Sequence, residues 1–144
     1  MISLELWRAK FESVYGPGEI IQGSDMLDSQ AMQYARERFP DSKYCIVRTW
    51  VWFDLDVSDD QRKEMLEKHG AQPSFIRADR VVFDSKSRFE QGDWVRTSAL
   101  HSFEEGFLFR TSNTVYMLLG IGYRAHAMPG LIREAAAYDL TMGA

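Results

Sequence analysis

Chemistry in this chain would have to come from one cysteine, three histidines and a scatter of carboxylates. Cys45 alternates along its segment with Val47, Val51 and Leu55. A thiol on such an apolar face is an inert small hydrophobe. A single cysteine also excludes an internal disulfide and a cysteine-rich structural zinc site. His69, His101 and His126 share no metal-ligating spacing, and neither His-Glu-x-x-His nor Gly-x-Ser-x-Gly occurs. Asp54, Asp56, Asp59 and Asp60 supply hard oxygen ligands, yet they lack the glycine and distal Glu of a calcium loop. Asp59 and Asp60 are accounted for as acids in the first turn of a helix, where the macrodipole favours them. Gly120-x-Gly122 lacks the third glycine and the strand-to-helix setting of a dinucleotide loop. The expectation is a chain that binds and does not turn over a substrate, with no cofactor and no metal. A catalytic set assembled from distant segments leaves no motif, so a small hydrolase or transferase stays as an alternative.

Two constellations suit recognition better. The run Lys43–Val57 reads as a long strand. Its odd positions, from Cys45 to Leu55, form an apolar face fit for a core. Its even positions bring Arg48, Trp50, Trp52, Asp54 and Asp56 together, and Trp and Arg are enriched at binding hot spots. Either the N-terminal helices cover the two indoles as core, or the even face is a partner surface. The second constellation is basic: Arg77, Arg80, Lys86, Arg88 and Arg96 lie on and around a later strand. Such a patch can contact phosphates, and it is equally a sheet edge kept soluble by charge. A net charge of -4 and a pI near 5.4 argue against nucleic acid.

The elements that position these residues follow from period and punctuation. Ser3–Tyr15 reads as a helix with Leu4, Trp7, Phe11, Val14 and Tyr15 on one stripe, stopped by Gly16-Pro17-Gly18. Glu19–Gln22 is a short extended piece. A second helix is expected over Asp25–Phe39, with Leu27, Ala31, Tyr34, Ala35 and Phe39 inward, Ser24 or Asp25 as cap and Pro40 as stop. Ser58 and Gln61 form a capping-box pattern opening a surface helix to His69, closed by Gly70, with Met65, Leu66 and His69 inward. Phe75–Ser85 reads as a strand. Pro129 begins a C-terminal helix to Tyr138, whose Leu131, Ile132, Ala135 and Ala136 suit capping the sheet or meeting a second subunit.

Gly92–Arg124 carries the densest β pattern in the chain. Asp93–Leu100, Gly106–Thr111 and Thr114–Ile121 read as a three-stranded meander, turning at Glu104-Glu105-Gly106 and at Ser112-Asn113. Asp93–Ser98, Thr111–Tyr116 and Gly120 with Gly122 resemble a family of small uncharacterised proteins, a domain of unknown function from proteobacterial genomes and their prophages. The resemblance covers the C-terminal third. It implies a mobile-genome setting, and it brings no activity and no catalytic residues.

At 144 residues the chain fits one domain over 1–144, long enough to bury a core without staples. Apolar content of 45% and charged content of 26% are those of a soluble globular protein. No membrane span and no signal peptide are visible, so a cytoplasmic setting is expected. The order of periods predicts an α+β fold. In it a helical layer (1–40) precedes a twisted antiparallel sheet (43–125) that curls into an SH3-like partial barrel, with a helix inserted near 59–69 and another at 129–138. The functional expectation is a non-enzymatic protein-binding module of phage or mobile-element type. One concrete form is an anti-CRISPR-like inhibitor that occludes a host or phage complex. The alternatives are a nucleic-acid-associated module using the basic edge and a small enzyme with a cryptic site.

Overall fold

The strand that organises the sheet is β2 (Tyr44–Leu55), and its two edges are used differently. In the computed structural model, which describes residues 3–127, β3 (Ser74–Asp84) runs antiparallel along one edge. The other edge is shared. β7 (Val115–Leu118) lies parallel to the first half of β2, and β8 (Ile121–Ala127) lies parallel to the second half. From β7 the sheet continues antiparallel through β6 (Leu108–Arg110) to β5 (Ser102–Glu104), and from β8 to β1 (Gly18–Gln22). A two-residue β4 (Val95–Arg96) pairs with β3. With α1 (Leu4–Tyr15), α2 (Asp28–Arg38) and α3 (Asp59–His69), this makes an α+β fold built on a curled, open, mixed half-barrel.

The sheet is therefore not the antiparallel one expected. Parallel pairing needs a long crossover, and everything from α3 to β6 supplies it. The hairpin at Ser112-Asn113 is present, with the Thr111 N–H donating to the Thr114 carbonyl at 3.0 Å. The meander, however, is β5-β6-β7. The expected strand at Asp93–Leu100 shrinks to β4, and it pairs with β3 instead of β6. The last expected strand stops at Leu118, and β8 follows it as a further strand.

A kink explains why alternation misled along β2. Thr49 has φ 56°, and Gly120, in the jog between β7 and β8, has φ 71°. Across Thr49 the strand changes parity. Cys45 and Val47 share the inner cluster with Trp50 and Trp52, joined by Ile76, Ala78, Val81, Val95, Phe109 and Tyr116. Ile46 instead packs outward with Ala31, Ala35 and Phe39 of the α2 region, and Val51 packs outward with Phe11 of α1. Both N-terminal helices thus cover the same side of the sheet, and the indoles lie on the opposite, inner side.

Local chemistry sets the helices. Ser3 caps α1, accepting from the Leu6 N–H at 3.3 Å. Phe11 then stacks on Tyr123 of β8, ring centroids 5.2 Å apart and 9° from parallel. Such a pair contributes about 0.5–1.5 kcal/mol beyond the area it buries. Leu4 and Val14 of the expected stripe face outward, because the sheet meets only one side of this short helix. α2 begins three residues later than expected, so Leu27 is an exposed cap residue and not part of the core. The Gln30 side chain returns to the Leu27 N–H at 2.8 Å. α3 has its capping box and closes on Gly70, whose φ is 62°. It buries no residue, so Met65, Leu66 and His69 are not inward anchors. The expected helix over 129–138 lies outside the described residues.

Candidate functional site

The five residues of the first constellation do not form one surface. Trp50 is 0% exposed and Trp52 5%. Trp50 Nε1 donates to the Leu119 carbonyl at 3.1 Å, and its ring lies against Gly122. Trp52 makes edge contacts with Phe103 and Phe109 at 4.9 and 5.0 Å. Both indoles are core, held there by the inner sheet face and not by the helices expected to cover them, so neither presents a contact surface. Arg48 points to the helix side, where its Nε donates to Asp28 at 2.7 Å. Asp54 sits with Trp52, receiving Arg124 through two bonds of 2.6 and 3.1 Å, Ser74 at 2.7 Å and Trp52 Nε1 at 3.0 Å. Burial opposes its charge, but those donors outweigh it and hold its carboxyl below the usual range. Asp56 lies outside, 3.2 Å from His126 Nδ1. The kink at Thr49 is what separates Arg48 from the rest.

The basic constellation is divided as well. Arg88 is folded onto the buried Asp84, with Nε and Nη2 at 3.1 and 2.8 Å, and it reaches Thr114 at 3.1 Å. Arg80 lies 3.4 Å from Asp28. Lys86 is exposed in the turn after β3. Only Arg77 and Arg96 stand together, directly opposite each other across β3 and β4.

Around that pair the structure gathers a face that the sequence reading passed over. Most of Asp93–Ser98 has an internal task. Asp93 accepts from the Glu90 N–H at 2.9 Å, and Val95 enters the inner core. The buried Thr97 hydroxyl accepts the Ile76 N–H at 2.9 Å and donates to the Ser98 carbonyl at 2.8 Å. That leaves Trp94 and Arg96 on the outer side. Trp94 is 54% exposed, and the Arg77 guanidinium lies over its ring at 4.5 Å. Tyr15, at the end of α1, adjoins them. Burial first and the Asp79 charge second raise its phenol's pKa, while Arg77 pulls it down. The signal was present in the parity: Trp94 and Arg96 alternate with Val95 and Thr97, so the charge of Arg96 marks the outer side.

The reactive side chains sit elsewhere. Burial, then the nearby Asp84 charge, push the Cys45 thiol far up, and burial does the same to the Tyr116 phenol. A thiol so placed is a poor nucleophile. A polar cavity of about 360 Å³ lies between Asp41–Lys43 and the β6–β7 hairpin, lined by one carboxylate, Asp41, and no cysteine or histidine. Among the described residues no cluster of His, Cys, Asp and Glu is placed to hold a metal ion, and no helix is long and apolar enough to cross a membrane.

Fold and site together define a small α+β half-barrel protein that shows an arginine-stacked tryptophan on its outer face. The chain belongs to the family described as Domain of unknown function (DUF6957), whose model matches residues 22–132. No curated protein and no solved structure matches it.

Proposed function

We propose that this chain is a protein-binding module that acts by occupying a partner's surface, and that the Trp94 face is its contact. The observation that carries the reading is the exposed indole itself, held against the Arg77 guanidinium at 4.5 Å. Tryptophan and arginine dominate binding hot spots, and a pre-stacked pair loses little side-chain freedom on binding. In its most concrete form the module is a cytoplasmic inhibitor of mobile-element type, occluding a host complex in the anti-CRISPR-like manner. Support for that form is the sequence resemblance at Asp93–Tyr116. The nucleic-acid alternative leans on an SH3-like reading of the β5-β6-β7 meander and on the basic residues. It is disfavoured because Arg80 and Arg88 already answer to Asp28 and Asp84.

The test is co-purification from the native host with tagged wild-type chain and with Trp94→Ala. An exposed side chain costs little to remove, so the variant should melt within about 0.5 kcal/mol of wild type. A protein recovered in fixed stoichiometry with wild type and lost with Trp94→Ala supports the reading. Undiminished recovery by a folded Trp94→Ala chain rules the face out.

A further inference from the structure

The polar cavity of about 360 Å³ lies where two short loops are clipped together. The Val115 N–H donates to the Lys43 carbonyl at 2.9 Å, which ties the loop before β2 to the β6–β7 hairpin. On the hairpin side, the Thr111 hydroxyl accepts the Thr114 N–H at 3.2 Å and fixes the turn. The donors around this hollow exceed what the chain gives them to bond. Among the described residues the Lys43 ammonium has no carboxylate and no hydrogen-bond acceptor, and the Ser42 and Ser112 hydroxyls have no partner. Asn113 Oδ1 accepts from the Thr114 hydroxyl at 2.9 Å, which leaves its amide donors over. The backbone N–H groups of Ser112 and Asn113, at the hairpin tip, meet no carbonyl among the described residues. Arg110 completes the set. Its charge is met by Glu104, and its guanidinium lies over the Phe39 ring at 5.3 Å. Yet its buried Nε, 2.7 Å from Glu104 Oε2, is off the hydrogen-bonding line and makes no hydrogen bond. A buried donor left unmet is costly, so it calls for an occupant. Against all these donors the lining sets a single carboxylate, Asp41.

We propose that this hollow binds the phosphate group of a small hydroxylated molecule, of the size of a sugar phosphate. Lys43 supplies the uncommitted charge. Arg110, the Ser42 and Ser112 hydroxyls and the hairpin-tip N–H groups supply donors. Those donors come from two facing loops, and a tetrahedral anion with several acceptor oxygens meets both at once. A carboxylate offers only two oxygens in one plane. Backbone N–H groups of a turn are a recurrent cradle for phosphate. The volume falls at the low end of small-molecule sites, roughly 300–1,000 Å³, and exceeds what a bare ion fills. Asp41 repels a bare anion and accepts from hydroxyls on the rest of the ligand. A nucleic-acid backbone fits poorly, because a string of phosphates wants a run of cations and this hollow has one uncommitted. The walls are tied together before any ligand arrives, so binding orders little. The site lies where β2 begins, whereas Arg77 pairs with Val51 in its second half, so it does not depend on the Trp94 face.

The experiment titrates the full chain with glucose 6-phosphate, glucose, inorganic phosphate and sulfate while the backbone amide signals of Ser112 and Asn113 are followed by NMR. Glucose 6-phosphate should shift both signals saturably at millimolar concentration. Inorganic phosphate should bind at least about fivefold more weakly, the loss of one hydrogen bond or more, and glucose should leave the signals unmoved. Lys43→Ala removes an exposed side chain, so it should melt as wild type does and bind glucose 6-phosphate about tenfold more weakly. Arg110→Lys keeps the charge beside Glu104 but loses the fork of donors, and it should weaken the same complex. Asp41→Asn should narrow the gap between glucose 6-phosphate and inorganic phosphate. Signals unmoved by glucose 6-phosphate overturn the inference, as do signals that glucose moves equally. Sulfate or inorganic phosphate binding as tightly as glucose 6-phosphate means an adventitious ion only, which overturns it too. Undiminished binding by a folded Lys43→Ala chain does the same, and the wild-type comparison of probes decides even if Arg110→Lys fails to fold.

Discussion

Gly122→Ala should be among the most damaging single-methyl additions to this fold. A Cβ built at Gly122 falls 2.3 Å from Cδ2 and Cε3 of Trp50 and 2.4 Å from Cε2. Carbon atoms pack best at about 3.5–4.0 Å, so the indole must retreat by more than about 1 Å. It has nowhere to go, because Trp50 is fully buried in the inner cluster. Retreat also pulls Nε1 from the Leu119 carbonyl, which it meets at 3.1 Å. Overpacking costs about 1–3 kcal/mol, and a neutral hydrogen bond contributes about 0.5–1.5 kcal/mol. A loss of about 2–4 kcal/mol follows, or roughly 6–15 °C in Tm for a domain of this size. Urea titration followed by far-ultraviolet circular dichroism reads the loss without relying on the fluorescence of Trp50. The companion variant is Trp50→Leu, which vacates the space. The pair in one chain should cost clearly less than the sum of the two singles, since one residue relieves the clash of the other. A Gly122→Ala chain within about 0.5 kcal/mol of wild type, or strict additivity with Trp50→Leu, would refute the view that the indole is bedded on this glycine.

Two further predictions concern groups away from the Trp94 face. Asp54 is held below its unfolded pKa by Arg124, Ser74 and Trp52 in spite of burial. A carboxyl lowered on folding stabilises the fold above its unfolded value near 3.9 and loses that contribution as pH falls through the folded value. Asp54→Asn should therefore cost about 2 kcal/mol at neutral pH and show a shallower fall in stability below about pH 4 than wild type. Identical acid unfolding profiles for the two chains would contradict this. Cys45→Ala, His69→Asn, His101→Asn and His126→Asn should each keep partner binding and biological effect once folding is verified, because a surface-occluding module needs no titrating or nucleophilic group. A variant that folds, binds and yet loses its effect would make the chain an enzyme.

Much of the fold was written locally. Ser3, the Ser58/Gln61 box and Gly70 set helix ends through contacts within one turn, and the Ser112-Asn113 hairpin is equally local. Sheet order is a different kind of information. That β2 takes β7 and β8 side by side in parallel depends on two opposed irregularities, Thr49 and Gly120, each read singly as ordinary. The glycines rejected as a dinucleotide loop have this structural task instead. Gly120 turns the chain with φ 71°, and Gly122 leaves room for the indole of Trp50, far away in the sequence. No spacing rule links such positions.

The site illustrates why composition alone ranked the tryptophans wrongly. Trp50 and Trp52 attract notice because they alternate with a charge at Arg48, and alternation is informative only while a strand keeps its parity. Thr49 breaks it, so the charge and the indoles leave on opposite sides of the sheet. At Trp94 the rule works, because β4 keeps its parity through Val95 and Thr97, which point inward, to Arg96, which does not. The residue is overlooked because its strand is two residues long and pairs with β3 alone among the described strands. A short edge strand buries little by itself, so side chains on its outer side stay exposed unless another element covers them. Arg77 on β3 and Arg96 on β4 face each other there, and the Arg77 guanidinium covers only part of the Trp94 indole, which stays 54% exposed.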